Sequence, residues 1–301
     1  MFNKHPKGLI AAALANLGER FGFYTMMAIL VLFLQAKFGM NGKEAGFIYS
    51  TFYFSIYILA LVGGIIADKT RNYKGTIFTG IVLMAVGYLL LAIPSKTPVD
   101  NKMLYLVITC ASLFVIAFGN GLFKGNLQAL VGQMYDNPQY ANMRDSGFSL
   151  FYMFINIGAI FAPFAAVGVR NWWLSTFGYN YDADLPALCH GQLAGTLSPE
   201  ATETYHTLVT KASTAPVQDY TAFASDYLNV FTTGFHYAFG VAIIAMAISL
   251  TIYWLNKKNF PDPSKKTVAS SASSTVVEMS AQEVKQRMYA LFAVFGVVIF
   301  F

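Results

Sequence analysis

The sequence predicts an all-α protein that crosses a membrane several times. Of its 301 residues, 56% are hydrophobic and only 12% are charged, against about 25% charged in soluble domains. The apolar residues gather into runs that reach the ~20 residues a helix needs to span a bilayer. These runs are continuous rather than alternating with period two, which argues against an outer-membrane barrel. The net charge of +5 is scattered over the loops, not gathered on one face, so nucleic acid is not expected as a partner. Neither Cys110 nor Cys189 has the spacing or company of a metal site or a disulfide framework. No cofactor is implied. Met1–Gly8 resembles the start of a leader, but the apolar run after it is too long and no small-residue cleavage site closes it.

Seven runs can be marked, at about 9–36, 47–67, 75–93, 103–131, 147–169, 231–255 and 288–301. The first six are long enough to span. The seventh holds 14 residues and stops at the last one, so a truncated seventh span is expected. The predicted organisation is a six-helix bundle over 1–256, a cytoplasmic linker over 257–287 and the partial span over 288–301. With the N-terminus in the cytoplasm, the inner segments carry twelve Lys and Arg and the outer ones six. That bias sets the orientation. The loop 170–230 has six acids and two bases, which suits the outer side. Trp172 and Trp173 at its start are expected at the interface. The linker is rich in Ser, Lys and Val, and Pro261 and Pro263 are expected to stop the sixth helix.

Two basic residues, Arg20 and Lys124, remain inside spans. A charge at bilayer depth costs at least about 2.5 kcal/mol. Glu19 and Arg20, side by side in the first run, therefore need a wet cavity or charged partners. Either an ion pair that holds two helices or a ligand pathway would serve. Asn16, Arg20 and Phe23/Tyr24 share one helical face by their i, i+4 and i+7/i+8 spacing, with Glu19 about 100° round. The fourth span contains Gly119-Asn120-Gly121-Leu122-Phe123-Lys124-Gly125-Asn126, and the glycines on both sides of Lys124 make room for another backbone. Lys124 can snorkel to an interface, but a polar centre built by spans one and four satisfies Glu19 and Arg20 as well. Such a centre carries one surplus positive charge, which a substrate carboxylate would neutralise; an arginine can take it in a fork. The residues thus favour an anionic or zwitterionic substrate.

Gly63-Gly64-Ile65-Ile66-Ala67-Asp68-Lys69, between spans two and three, resembles the gating motif of the major facilitator superfamily. Asp68 is expected to pair with Lys69, Arg71 or Lys74. The run Phe148-Ser149-Leu150-Phe151-Tyr152-Met153-Phe154-Ile155-Asn156-Ile157-Gly158-Ala159-Ile160 resembles the second signature of the proton-dependent oligopeptide transporter family, a branch of that superfamily. Gly63–Gly87 resembles its first signature, and Asn16-Leu17-Gly18-Glu19-Arg20-Phe21-Gly22-Phe23-Tyr24 its E-x-x-E-R-F-x-Y-Y motif.

The resemblance implies a major facilitator fold, here the N-terminal half plus the start of span seven, and proton-coupled symport of di- and tripeptides. It implies that Arg20, Tyr24, Tyr57, Lys124 and Asn156 line the substrate cavity, that Glu19 takes part in proton coupling, and that Asp68 and Lys69 act in gating. The partners it implies are peptide, protons, the lipid bilayer and a missing C-terminal six-helix half, in a bacterial inner membrane; the present chain alone is expected to be inactive. Asn16 stands where the motif has its first glutamate, and Gly125 where the lysine is usually followed by proline. The first departure leaves open a relative that carries another anionic solute with altered coupling. Against an enzyme, the sequence has no metalloprotease, nucleophile-elbow or P-loop motif. Against a cation channel, Arg20 and Lys124 would obstruct the pore. His236 opens the sixth span and is expected to be structural; His5, His190 and His206 fall in segments expected to be exposed.

Overall fold

The computed structural model describes residues 4–261, together with 280, 282–283, 285–290 and 293. The chain divides into two compact units, Met1–Asp262 and Pro263–Phe301. In the second, residues 285–290 are helical. The expected linker and seventh span lie mostly outside the described residues.

The first unit is helical throughout: α1 Gly8–Phe38, α2 Gly42–Thr70, α3 Tyr73–Ala92, α4 Lys102–Met134, α5 Arg144–Thr176, α6 Leu185–Ala194, α7 Pro199–Ala212 and α8 Tyr220–Leu255. Six of these, α1 to α5 and α8, are long and apolar enough to cross a membrane. Their ends are set locally. Asn41 and Glu44 form a reciprocal capping box at α2. The side chains of Asn72, Asn101 and Asp219 accept from the first free N–H groups of α3, α4 and α8. Gly39, at φ 60°, closes α1 in the left-handed conformation.

The packing has an internal symmetry. α1 lies on α5 and α8, α4 lies on α2 and α3, and α3 meets α8. Exchanging the first three spans for the last three (α1 for α4, α2 for α5, α3 for α8) reproduces this pattern. Spans three apart in the chain run in opposite directions, so this is the pairing of an inverted repeat. Lipid gives no hydrophobic force between helices, so close approach and hydrogen bonds hold them together. α4 supplies both. A Cβ on Gly121 would stand 2.5 Å from the Leu59 carbonyl of α2, and one on Gly119 would stand 2.7 Å from the Gly80 oxygen of α3. Asn126 Nδ2 donates to the Gly63 oxygen across the α2–α4 crossing at 3.1 Å. On the other triplet, the Ser249 hydroxyl of α8 donates to the Ala15 carbonyl of α1 at 2.6 Å.

α2 and α5 are the least covered spans. α2 has two exposed faces. One is apolar, with Phe54, Ile58, Leu61 and Ile65; the other carries Tyr53 and Tyr57.

The expected start of the sixth span, residue 231, is eleven residues late. Ser225, Asp226 and Asn229 dilute the apolar signal, but the Asp219 cap starts α8 at Tyr220. The loop 170–230, expected on the outer side and left without structure by composition, contains the end of α5, α6, α7 and those first turns of α8. It has its own core of Leu185, Cys189, Tyr205, Val209, Phe223 and Tyr227. His190 ties it to α1: Nε2 donates to the Ala36 carbonyl at 2.8 Å. Arg170 anchors the end of α5, its guanidinium 3.6 Å from the Tyr181 ring. Trp172 is exposed, whereas Trp173 packs against Tyr237 with centroids 4.5 Å apart.

The three histidines expected to be exposed are not: His5 is buried and bonds the Tyr135 hydroxyl at 2.8 Å, His190 is half-buried in its contact with α1, and His206 is half-buried and stacks on Tyr220 with centroids 3.9 Å apart. Beyond α8, Phe260 is buried and stacks on Tyr253, centroids 5.0 Å apart.

Candidate functional site

The polar centre forms where α1 faces α4. Glu19 is fully buried and Arg20 is 4% exposed. Arg20 turns its fork back on its neighbour: Nε donates to Glu19 Oε2, and Nη2 to Oε1 at 2.5 Å. Both carboxylate oxygens are thus engaged in a two-pronged charge-assisted pair. Asn120 Nδ2, from α4, donates to Glu19 Oε1 at 2.7 Å. The guanidinium also lies 4.7 Å from the centre of the Phe23 ring, a cation–π contact. Burying two opposite charges is tolerable only with this density of partners.

Lys124 lies one helical turn along α4 from Asn120. It is half-buried, and its ammonium sits 5.6 Å from the centre of the Tyr57 ring on α2. It is within electrostatic reach of both Arg20 and Glu19. The Tyr57 hydroxyl donates to the Tyr53 hydroxyl at 3.2 Å, and Tyr53 in turn is within electrostatic reach of Arg20. Tyr24 is half-buried beside them. One wall of the site is therefore aromatic and hydroxylated, and one positive charge remains in surplus. Arg20 is occupied by Glu19, so among the described residues of this site Lys124 is the cation with room for a new partner.

Asn156 is exposed on α5. Among the described residues, no hydrogen bond or ion pair joins it to Arg20, Lys124 or Tyr57. Asn16 is buried on α1, one turn before Arg20. Asp68 and Lys69 are exposed at the end of α2, and Asp68 accepts from the Tyr73 hydroxyl.

Three residues of the centre were not singled out from the sequence. Asn120 was visible only as a polar residue between two glycines. Tyr53 is one turn from Tyr57, so its spacing could have found it. Tyr88, on α3, is fully buried beside Glu19 and Arg20, and among the described residues its hydroxyl has no hydrogen-bond partner; no sequence signal marks it. His236 is buried on α8, where Nδ1 donates to the Leu91 carbonyl at 2.6 Å, a structural bond between α8 and α3.

Residues 74–298 match the profile of the POT family. The chain is 34% identical over 185 residues to the peptide transporter YePEPT of Yersinia enterocolitica, covering 60% of this chain and 34% of that protein. It is also 34% identical over 179 residues to the dipeptide and tripeptide permease A of an Enterobacter species, covering 59% of this chain and 32% of the permease. A crystal structure of a peptide transporter POT in complex with sulfate is similar to 98% of this chain, with 25% identity and a TM-score of 0.57, and 45% of that protein is covered. The chain thus spans about half the length of the solved transporter, and its alignments take in about a third of the two curated relatives.

Proposed function

The chain belongs to the POT family, and from that premise we propose that it forms the N-terminal bundle of a proton-coupled symporter of di- and tripeptides. It is an integral membrane protein. A second six-helix bundle completes the cavity, and the two rock about a site near the bilayer midplane to give alternating access. The peptide carboxylate goes to Lys124, with Arg20 joining when its pair with Glu19 opens. Tyr24, Tyr57 and Asn156 contribute donors and acceptors without adding charge. The ammonium end of the peptide takes an acid from the second bundle, since Glu19 is engaged.

Glu19 is the coupling acid on this side of the cavity. Asn16 cannot take a proton in place of the acid that resembling sequences carry there. Protonating Glu19 removes the partner of Arg20, so the pair opens and the cavity rearranges. Asp68 and Lys69 mark the cytoplasmic gate. The bias of Lys and Arg puts the N-terminus in the cytoplasm, and relatives from bacteria support an inner-membrane location.

The observation that carries this proposal is the surplus positive charge of the Glu19–Arg20–Lys124 group, placed beside the exposed tyrosines of α2. Arg20→Ala and Lys124→Ala should each abolish dipeptide uptake by the complete transporter in proteoliposomes. Normal uptake by both variants would refute the site.

A further inference from the structure

The geometry points to Asn120 as a positioning residue for the proton step: it holds the Glu19 carboxylate in the Arg20 fork and sets how acid the medium must be before that pair opens. This rests on Glu19 being the coupling acid.

Asn120 has no freedom to do otherwise. It is fully buried, and its backbone is pinned on both sides. Gly119 presses on α3, where a Cβ would stand 2.7 Å from the Gly80 oxygen; Gly121 presses on α2, where a Cβ would stand 2.5 Å from the Leu59 carbonyl. The residue between them is fixed at the triple crossing and projects toward α1. There its Nδ2 meets Glu19 Oε1 at 2.7 Å, and Met84 Sδ lies 3.9 Å away. Its buried Oδ1 has no hydrogen-bond partner among the described residues, so the amide is held by its donor end. That is the orientation a carboxylate selects, since an ionised carboxylate only accepts.

The other groups acting on the pair are few. α1 contributes Arg20 and Tyr24, α2 contributes Tyr53 through Arg20, α3 contributes Tyr88 and α4 contributes Lys124. α5 from Ser146 to Val169 and α8 from Tyr237 to Leu255 carry no acid, lysine, arginine or histidine. Asn120 is thus the one uncharged donor on the carboxylate among the described residues. Because a hydrogen bond to the ionised form favours that form, removing it makes protonation easier without altering the charges around the pair.

The test is an infrared titration of the purified protein in lipid, following the carboxyl band that is lost in Glu19→Gln. Asn120→Leu keeps the branched shape of the side chain and removes the donor; Asn120→Ala removes it with a smaller side chain. Both should raise the midpoint of that band by about one pH unit, tenfold in proton affinity, as expected for one hydrogen bond to a charged group. An unmoved or lowered midpoint in either variant, with its helical circular dichroism intact, would overturn the role; a purely structural Asn120 gives that result. Failure of the coupling proposal is separate: uptake indifferent to a proton gradient would contradict it whatever the midpoints do.

Discussion

Replacing Gly63 by alanine tests the packing that places the site. The new Cβ would stand 2.2 Å from the Gly121 oxygen and 2.6 Å from its carbonyl carbon. Ordinary contact begins near 3.4 Å, so the α4 backbone would have to retreat by roughly 1 Å. It has little room to do so. Gly119 of α4 already abuts the Gly80 oxygen of α3, and Asn126 of α4 holds the Gly63 carbonyl across the crossing. Overpacking in a close-packed interior costs about 1–3 kcal/mol, and a backbone-on-backbone clash belongs at the upper end. Gly64 is the control: a Cβ there meets nothing within 4 Å, so Gly64→Ala should gain about 0.5–1 kcal/mol from helix propensity alone. Thermal and SDS-induced unfolding in mild detergent should therefore rank Gly64→Ala above the parent and Gly63→Ala well below it. A Gly63→Ala protein as stable as Gly64→Ala would refute the α2–α4 crossing and the placement of Asn120 and Lys124 that depends on it.

Asn16→Glu, which restores the acid of the family motif one turn from Arg20, should be tolerated and should increase the proton dependence of uptake, measured as the ratio of rates with and without a pH gradient. Cys189 should resist maleimide at neutral pH in a Cys110→Ser background. Burial pushes its thiol up to about 12 from an ordinary value of 9.0. The folded outer cap therefore holds the thiol proton more tightly than the unfolded chain does. This contribution to stability is complete below the ordinary value and is lost as pH rises from there toward about 12. Labelling should accordingly stay slow at the ordinary value of 9.0 and climb only as pH approaches about 12; rapid labelling at neutral pH would contradict the buried core of the cap.

The spans were legible because bilayer thickness imposes a length on every apolar run, and the Glu19–Arg20 pair because charge at that depth stands out. The facing of α1 and α4 was legible too, from the glycines on both sides of Lys124 and the need of Glu19 and Arg20 for company. What the sequence withheld follows from what local pattern does not encode. α8 begins three turns before its apolar run, since the cap at Asp219 and the packing of Tyr227 outweigh Ser225 and Asp226. The outer cap depends on long-range contacts such as His190 with Ala36, which leave no periodic trace. His5 looked exposed because its partner, Tyr135, is 130 residues away. The partition of the charges was also hidden: the sequence placed Glu19 beside the Arg20 face, whereas a long side chain on each lets the two neighbours close on one another and leaves Lys124 to the tyrosines.

Dipeptide uptake into proteoliposomes by the complete transporter, with and without an inward proton gradient, comes first. Uptake that rises with the gradient and disappears in Lys124→Ala is expected from a proton-coupled peptide symporter with its carboxylate site at Lys124. Uptake of equal rate with and without the gradient, or full uptake in Lys124→Ala, would contradict it.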